Sequence, residues 1–283
     1  MILVTGGAGF IGSHLVKKLQ NAGHEVRVLD DLSSGKKDNV QGAEFMRGDV
    51  KSDIDVAKAV KGCEYVFHLA ALTDAREGGD NVFKVNFLGS KNVFAAAERN
   101  GAKVIFTSSA AVYGEGTAVE DSLLKPMSDY GKSKAKAEKL AKNGFVARLF
   151  NVYGPGGKGV INRFAKAICV GNGGVTIYGT GLQTRDYVYV DDVVDALMLG
   201  MNNEGTYNVG TGSETSLLNA VTAIEKTCGF GASIKFELAK EEITRSKADI
   251  TKIKSIGWSP KVTLDEGIRR VTEGLSASSK RSA

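Results

Sequence analysis

The chain has 283 residues, 42% of them hydrophobic and 24% charged, which is enough apolar material for a substantial core and excludes a disordered chain. Its formal net charge of +5 comes from 37 Lys and Arg against 32 Asp and Glu scattered along the sequence, with no basic run interleaved with aromatics, so no nucleic-acid or membrane partner is expected. Cys63, Cys169 and Cys228 are far apart and free of C-x-x-C spacing, so neither a disulfide framework nor a zinc site is expected, and a reducing, cytoplasmic setting fits.

The first strand-like run, 2–5, begins almost at the initiator Met and leaves no room for a leader pattern, and no apolar stretch is long enough to span a bilayer. Runs rich in β-branched and aromatic residues predict further strands at 26–30, 44–47, 65–69, 104–107 and 146–150, with helical patterns between most of them. These runs are continuously apolar rather than alternating, as expected when crossover helices cover both faces of a parallel sheet. The fold class read from this is α/β: a Rossmann-like, doubly wound parallel sheet over 1–150, with a returning segment near 185–205. A smaller, interleaved C-terminal lobe for substrate follows over 151–283, where glycine-rich turns at 154–159 and 171–174 separate short strands (175–178, 207–209) from helices near 160–170, 191–201 and 216–228. The tail from Ser276 is rich in Ser, Lys and Arg without an apolar period, and fraying is expected there; there is no internal repeat.

Gly6, Gly9 and Gly12 lie between the first strand and a helix reaching about Asn21. Glycine in such a turn permits positive φ and brings backbone N–H groups close to a pyrophosphate, whose charge the helix N-terminus favours. Asp30 ends the second strand about 18 residues beyond Gly12, where a carboxylate accepts hydrogen bonds from a ribose and repels a 2′-phosphate, so NAD rather than NADP is the expected cofactor.

Tyr130 and Lys134 are four apart at the start of a helix and share one face. A free phenol, with a pKa of about 10, is too weakly acidic to serve as a base at neutral pH, but a nearby ammonium stabilises the phenolate. Ser108 and Ser109 follow the fifth strand at its C-terminal end, the rim where open α/β sheets bind ligands, so a hydroxyl there can bond the reacting oxygen. His14, His24 and His68 have no metal-ligand spacing and no metal is expected.

With these residues in place, the chain resembles the extended short-chain dehydrogenase/reductase family, and within it the NAD-dependent nucleotide-sugar epimerases similar to UDP-glucose 4-epimerase. The likeness covers about residues 1 to 275 and rests on the glycine turn, Asp30-Asp31-Leu32, Gly48-Asp49-Val50, His68-Leu69-Ala70-Ala71, Asn86, Ser108-Ser109, Val112-Tyr113-Gly114, Tyr130 with Lys134, the run from Arg148 to Pro155, and Arg185-Asp186-Tyr187-Val188. The resemblance implies cofactor contacts from Gly6, Gly9, Phe10, Ile11, Gly12, Asp30, Asp31, Leu32 and Ser34. It places Asp49 and Val50 at the adenine, and Leu69, Ala70, Ala71 and Asn86 along the cofactor channel, with Tyr130 and Lys134 at the nicotinamide end. It implies that Asn151, Arg185 and Arg245 meet the diphosphate of a UDP-sugar, that Val160 and Tyr178 enclose its base, and that Ser246 sets the room for an N-acetyl group.

The family chemistry begins with Tyr130 taking the C4 hydroxyl proton, with Ser109 as hydroxyl partner and Lys134 tuning Tyr130. Relatives that dehydrate or decarboxylate carry an acid beside the active-site hydroxyl, where this chain has Ala110 and Ala111, so the implied reaction is 4-epimerisation of UDP-galactose and UDP-glucose, with N-acetylhexosamines as further candidates. The alternatives are another sugar epimerase or a nucleotide-sugar dehydrogenase or 4-ketoreductase of the family, and, from a different class, a non-catalytic dinucleotide-binding module. Relatives pair two helices per subunit, here about 82–99 and 130–142. The excess apolar face of the first implies a homodimer, which the short, Lys-rich second helix weakens.

Overall fold

The apolar runs become strands because both of their faces are covered: Leu3, Val4, Val28, Val66, Phe67, Ile105 and Phe106 are fully buried in the computed structural model. It describes residues 1–73, 79–239 and 243–280, with 276–280 by backbone alone; the end of the tail falls outside these. In chain order the elements are β1 (Ile2–Thr5), α1 (Phe10–Asn21), β2 (Val26–Asp30), β3 (Glu44–Arg47), α2 (Asp53–Val60), β4 (Tyr65–His68), α3 (Asp80–Phe83), a π-turn (Lys84–Leu88), α4 (Gly89–Arg99) and β5 (Lys103–Ser109). There follow β6 (Gly116–Ala118), α5 (Asp129–Glu138), β7 (Phe145–Leu149), β8 (Asn151–Tyr153), α6 (Val160–Cys169), β9 (Gly174–Tyr178), β10 (Thr184–Arg185), β11 (Tyr187–Tyr189) and α7 (Val190–Leu199). The chain closes with β12 (Gly205–Val209), β13 (Thr215–Ser216), α8 (Leu217–Cys228), β14 (Ser233–Glu237), β15 (Arg245–Ala248), α9 (Thr251–Ser255) and α10 (Leu264–Lys280).

The chain divides into two units, the first made of Met1–Gly114, Glu120–Leu149 and Val194–Tyr207, the second of Glu115–Val119, Phe150–Val193 and the residues from Asn208 onward. The first holds a seven-stranded sheet in the order β12-β7-β5-β4-β1-β2-β3, with β1 to β5 and β7 paired in parallel, as the continuous apolar runs predict; β12 completes its edge with residues of both units. The strand order reverses at β1, so the chain leaving β1 and the chain leaving β4 part at the C-terminal edge, the place where such sheets take a ligand. Sequence-local capping fixes the helices around it: Ser52 accepts from Asp55 N to start α2, and Ser128 accepts from Gly131 N to start α5.

The second unit holds a four-stranded sheet, β13-β10-β15-β6, and two parallel strand pairs, β8 with β11 and β9 with β14. Asp186, fully buried, gathers it: its carboxylate accepts from Thr211 N and Oγ1 at 2.7 Å each, from Gly212 N at 2.9 Å and from Ala248 N at 3.2 Å. Helices α6, α8 and α10 pack on one another.

One expectation is corrected here. Cys169 and Cys228 form a disulfide, with Cα atoms 5.5 Å apart at the ends of α6 and α8, so only Cys63 is free and the inference of a reducing compartment loses its basis. The two are 59 residues apart, and only the packing of α6 against α8 brings them together. The backbone of α10 reaches Lys280, into the stretch from Ser276 that the sequence marks as the tail. No helix among the described residues is long and apolar enough to cross a membrane.

Candidate active site

The glycine turn leaves β1 at Gly6, whose φ of +69° and approach to Ala70 N, 2.7 Å from where a Cβ would stand, admit no side chain. A Cβ on Gly12 would stand 2.2 Å from Gly6 O, so this glycine lets α1 start directly on the turn. Gly9 caps α1, whose own first turn carries no acid to offset the positive end of the helix. Phe10 and Ile11 form that first turn, and Phe10 packs edge-on against His14.

Asp30 is brought to the same turn. One carboxylate oxygen accepts from Ala8 N at 2.9 Å and the other from Leu32 N at 2.8 Å, while burial pushes its pKa up against these two bonds. Leu32 stands at φ 63°, a left-handed backbone that a branched side chain rarely adopts, immediately after the acid pair. Asp31 accepts from Ser33 N, and Ser34 lies exposed beyond it. Donors at a helix start, an acid-free first turn and a ribose-type carboxylate suit a dinucleotide, and Asp30 with Asp31 disfavours a 2′-phosphate. NAD fits.

Further along the edge, Asp49 accepts from Lys51 N at 2.9 Å and pairs with Lys51 Nζ at 3.2 Å, and Val50 is buried against Gly89. Leu69, Ala70 and Ala71 continue from β4 beside the glycine turn, with Leu69 N donating to Thr5 O. Asn86 is fully buried in the π-turn and its amide is committed to protein: it accepts from Leu72 N and donates to Leu72 O and to Ser133 Oγ. It therefore holds the loop after β4 to α5 rather than offering its side chain to a ligand.

His68 resolves into a support. Ser90 donates its hydroxyl proton to Asn86 O, so it accepts from His68 Nε2–H at 2.9 Å, which leaves Nδ1 to accept from Thr5 Oγ1 at 2.7 Å. The ring stacks on Phe106, and burial with the Lys134 charge lowers its pKa to about 3. The folded state therefore refuses a proton that the unfolded chain, at about 6.5, accepts, and stability falls with pH between those values. A His68→Gln variant lacks this term, so the wild-type advantage in urea unfolding is expected to shrink by about 2–3 kcal/mol between about pH 7 and about pH 4. A pH-independent difference contradicts the assignment.

The residues expected to react, Ser109, Tyr130 and Lys134, lie at the end of β5 and the start of α5. Ser109 caps the short turn Ala110–Val112 by accepting from Ala111 N, and its hydroxyl is near enough to the Tyr130 phenol to act on its ionisation. Gly131 permits this approach, because a Cβ there would stand 2.4 Å from Ala111 O. Burial raises the Tyr130 pKa and the Ser109 hydroxyl opposes that rise. Lys134, 1% exposed, donates to Thr107 O at 2.8 Å and lies 4.8 Å from the centre of the Phe106 ring; burial lowers its pKa to about 7, with Glu138 holding it up. A neutral-range ammonium one helical turn from a phenol is what acid–base work near pH 7 requires. Sequence reasoning missed Thr107, Ser133 and Glu138, whose roles depend on partners far along the chain.

In the second unit a concave pocket is lined by Asn151, Val160, Tyr178 and Arg185, four of the predicted substrate residues, together with Arg163, Phe164, Thr176, Ile177, Tyr187 and Leu217. Tyr187 Oη is buried and, among the described residues, has no hydrogen-bond partner; burial pushes its pKa up to about 12, so it is a neutral donor. Arg185 beside it donates to Thr184 O at 2.9 Å. A guanidinium, an amide and an unused phenol suit a diphosphate, with aliphatic and aromatic walls for a base. Arg245 does not join this group: its Nε donates to both oxygens of Glu214 at 3.0 and 2.9 Å, and it is half exposed on β15. Ser246 is buried in that strand, in register with Arg185 and Gly116. No group of three or more His, Cys, Asp or Glu among the described residues could hold a metal.

A parallel sheet that reverses at a glycine-lipped edge, with a Ser–Tyr–Lys set on the next strand and helix, belongs to a dinucleotide-dependent enzyme of the short-chain dehydrogenase/reductase class. The model of the NAD dependent epimerase/dehydratase family matches residues 2–210, and the chain belongs to that family, with NAD as its cofactor. It is 38% identical to UDP-glucose 4-epimerase of Mycolicibacterium smegmatis, over 96% of this chain and 97% of the relative. It is 32% identical to UDP-glucuronic acid decarboxylase 1 of Arabidopsis thaliana, over 95% of this chain and 68% of that protein. The crystal structure of UDP-glucose 4-epimerase from Thermotoga maritima, with UDP-glucose, superposes with a TM-score of 0.92 at 35% identity, covering 98% of this chain and 99% of that one.

Proposed function

We propose that the chain catalyses NAD-dependent 4-epimerisation of a UDP-hexose, UDP-galactose to UDP-glucose and back. The observation that carries this reading is the packing of the start of α5, with Tyr130 and Gly131, on the turn that Ser109 opens and Ala110 and Ala111 continue. The site has a base and a hydroxyl partner for an alcohol at C4, and next to them no acid for eliminating water or losing a carboxyl group, which disfavours dehydratase and decarboxylase readings.

Tyr130 takes the C4 hydroxyl proton, and Ser109 holds the C4 oxygen through the change from alcohol to ketone. When bound, NAD supplies the two-electron acceptor and donor for C4. Lys134 supplies positive charge that favours the phenolate, and its ammonium would also donate to the nicotinamide ribose. Gly6, Gly9, Gly12 and Asp30 hold the cofactor, with Asp31, Leu32, Ser34, Asp49, Val50, Leu69, Ala70 and Ala71 around it. The pocket with Asn151, Arg185 and Tyr187 takes the diphosphate, and Val160, Phe164 and Tyr178 take the base. The small Ser246 favours tolerance of N-acetylhexosamines.

Proton NMR of the purified chain with UDP-galactose and catalytic NAD is the test. The anomeric signal of UDP-glucose, without net reduced cofactor, is expected. Net reduced or oxidised cofactor favours a dehydrogenase or ketoreductase, and unchanged UDP-galactose with turnover of another UDP-sugar moves the substrate assignment.

We also propose a homodimer through the faces of the 80–99 helical run and α5. Leu88 is 45% exposed there, although Lys136 covers Phe83 and Phe87 with its ammonium at 5.0 and 5.9 Å from the ring centres. Light scattering at micromolar concentration is expected to give twice the chain mass of 29.9 kDa; the single-chain value excludes the dimer.

A further inference from the structure

Arg148 lies on β7 at 6% exposure, and its guanidinium is fully engaged inside the first unit. Nε and Nη2 donate to the Glu138 carboxylate at 3.0 and 2.7 Å, while Nη1 donates to Tyr113 Oη and to Glu120 O, each at 2.7 Å. Both side chains of the ion pair are buried, 7% and 8% exposed. The partners sit on the elements that carry the reacting groups. Glu138 lies on α5 one turn beyond Lys134 and two beyond Tyr130, and Tyr113 closes the turn that Ser109 opens. A buried ion pair is a poor source of stability compared with apolar residues of the same shape, so its presence between these two elements calls for another use.

We propose that Arg148 and Glu138 are positioning residues for the reacting set: Arg148 ties α5 to the Ser109 turn, and the Glu138 carboxylate keeps Lys134 in its ammonium form. This rests on the reading of Tyr130 as the base and Lys134 as its charge partner. Among the described residues, the groups facing Lys134 come from three elements. From β5 come the Thr107 carbonyl and the Phe106 ring, from β4 the neutral His68, and from α5 Tyr130 and Glu138. Among these, Glu138 is the anion that opposes the burial of the ammonium. Arg148 in turn keeps that carboxylate ionised in a buried place and fixes its direction through a two-pronged contact.

The test titrates Lys134 in the full-length, NAD-loaded chain by carbon NMR of labelled lysines, assigned with Lys134→Arg, alongside epimerisation rates across pH. In Glu138→Gln the Lys134 midpoint is expected to fall by about one pH unit, and the alkaline limb of kcat to fall with it, with KM within about twofold. Glu138→Asp, which keeps the charge, restores the midpoint. A purely structural role predicts the opposite sign, because loosened packing admits water and raises the midpoint; a raised or unmoved midpoint in Glu138→Gln overturns the proposal. Should that variant fail to fold, Arg148→Lys carries the test: about a tenfold loss in kcat with the midpoint unmoved is expected, and an unchanged kcat overturns it. A wild-type chain that does not epimerise removes the functional reading yet leaves the Lys134 titration intact, so the two failures are distinguishable.

Discussion

Tyr130→Phe is expected to lower kcat for UDP-galactose epimerisation by about 10²- to 10⁴-fold, the range for losing a positioned acid–base group. The ring stays, so α5 keeps its packing on the Ser109 turn, and NAD affinity measured by calorimetry changes little. The loss is large because nothing beside Tyr130 can replace it: Ala110 and Ala111 carry no proton, Lys134 is engaged with Thr107 O, and Ser109 is a far weaker base than a phenolate. In the free protein burial holds the phenol neutral, so its activation depends on positive charge delivered at the site, from Lys134 and from the oxidised cofactor. A Tyr130→Phe chain with ordinary turnover would remove Tyr130 from the chemistry.

Gly12→Ala has the second largest expected effect, on cofactor binding rather than chemistry. The new Cβ would stand 2.2 Å from Gly6 O, 2.7 Å from Gly7 Cα and 2.9 Å from Gly7 O, all backbone atoms that cannot rotate aside. The start of α1 must then move away from the turn, at a cost of about 1–3 kcal/mol, and the N–H groups that meet the pyrophosphate move with it. A fall in NAD affinity of about 10- to 100-fold is expected by calorimetry, with kcat at saturating NAD much less affected. Gly231→Ala, at a glycine with nothing within 4 Å of a new Cβ, is the control and leaves affinity unchanged. Equal affinities in the two variants would mean that this turn is not the phosphate site.

What could be read along the chain follows physical range. The strands of the first unit are legible because a buried parallel strand needs a continuous apolar run, and 2–5, 26–30 and 65–69 carry that signal within a few residues. The glycine turn with Asp30, and Tyr130 with Lys134, are legible for the same reason: each is a constraint between neighbours in sequence, a backbone turn or one helical turn. The diphosphate assignment of Arg245 depends instead on which strand edge receives it, and there Glu214 engages its guanidinium.

The sequence alone therefore determined the fold class and the places of the glycine turn and of Ser109, Tyr130 and Lys134 in it, because these depend on local backbone geometry and on the period of apolar residues. The tertiary structure decided the Cys169–Cys228 bond, the Arg148 contacts with Glu138 and Tyr113, the gathering of loops by Asp186, and the commitment of Asn86 to Leu72. Each of these joins residues whose separation along the chain carries no period, and each is fixed only when buried polar groups must find partners in the packed interior.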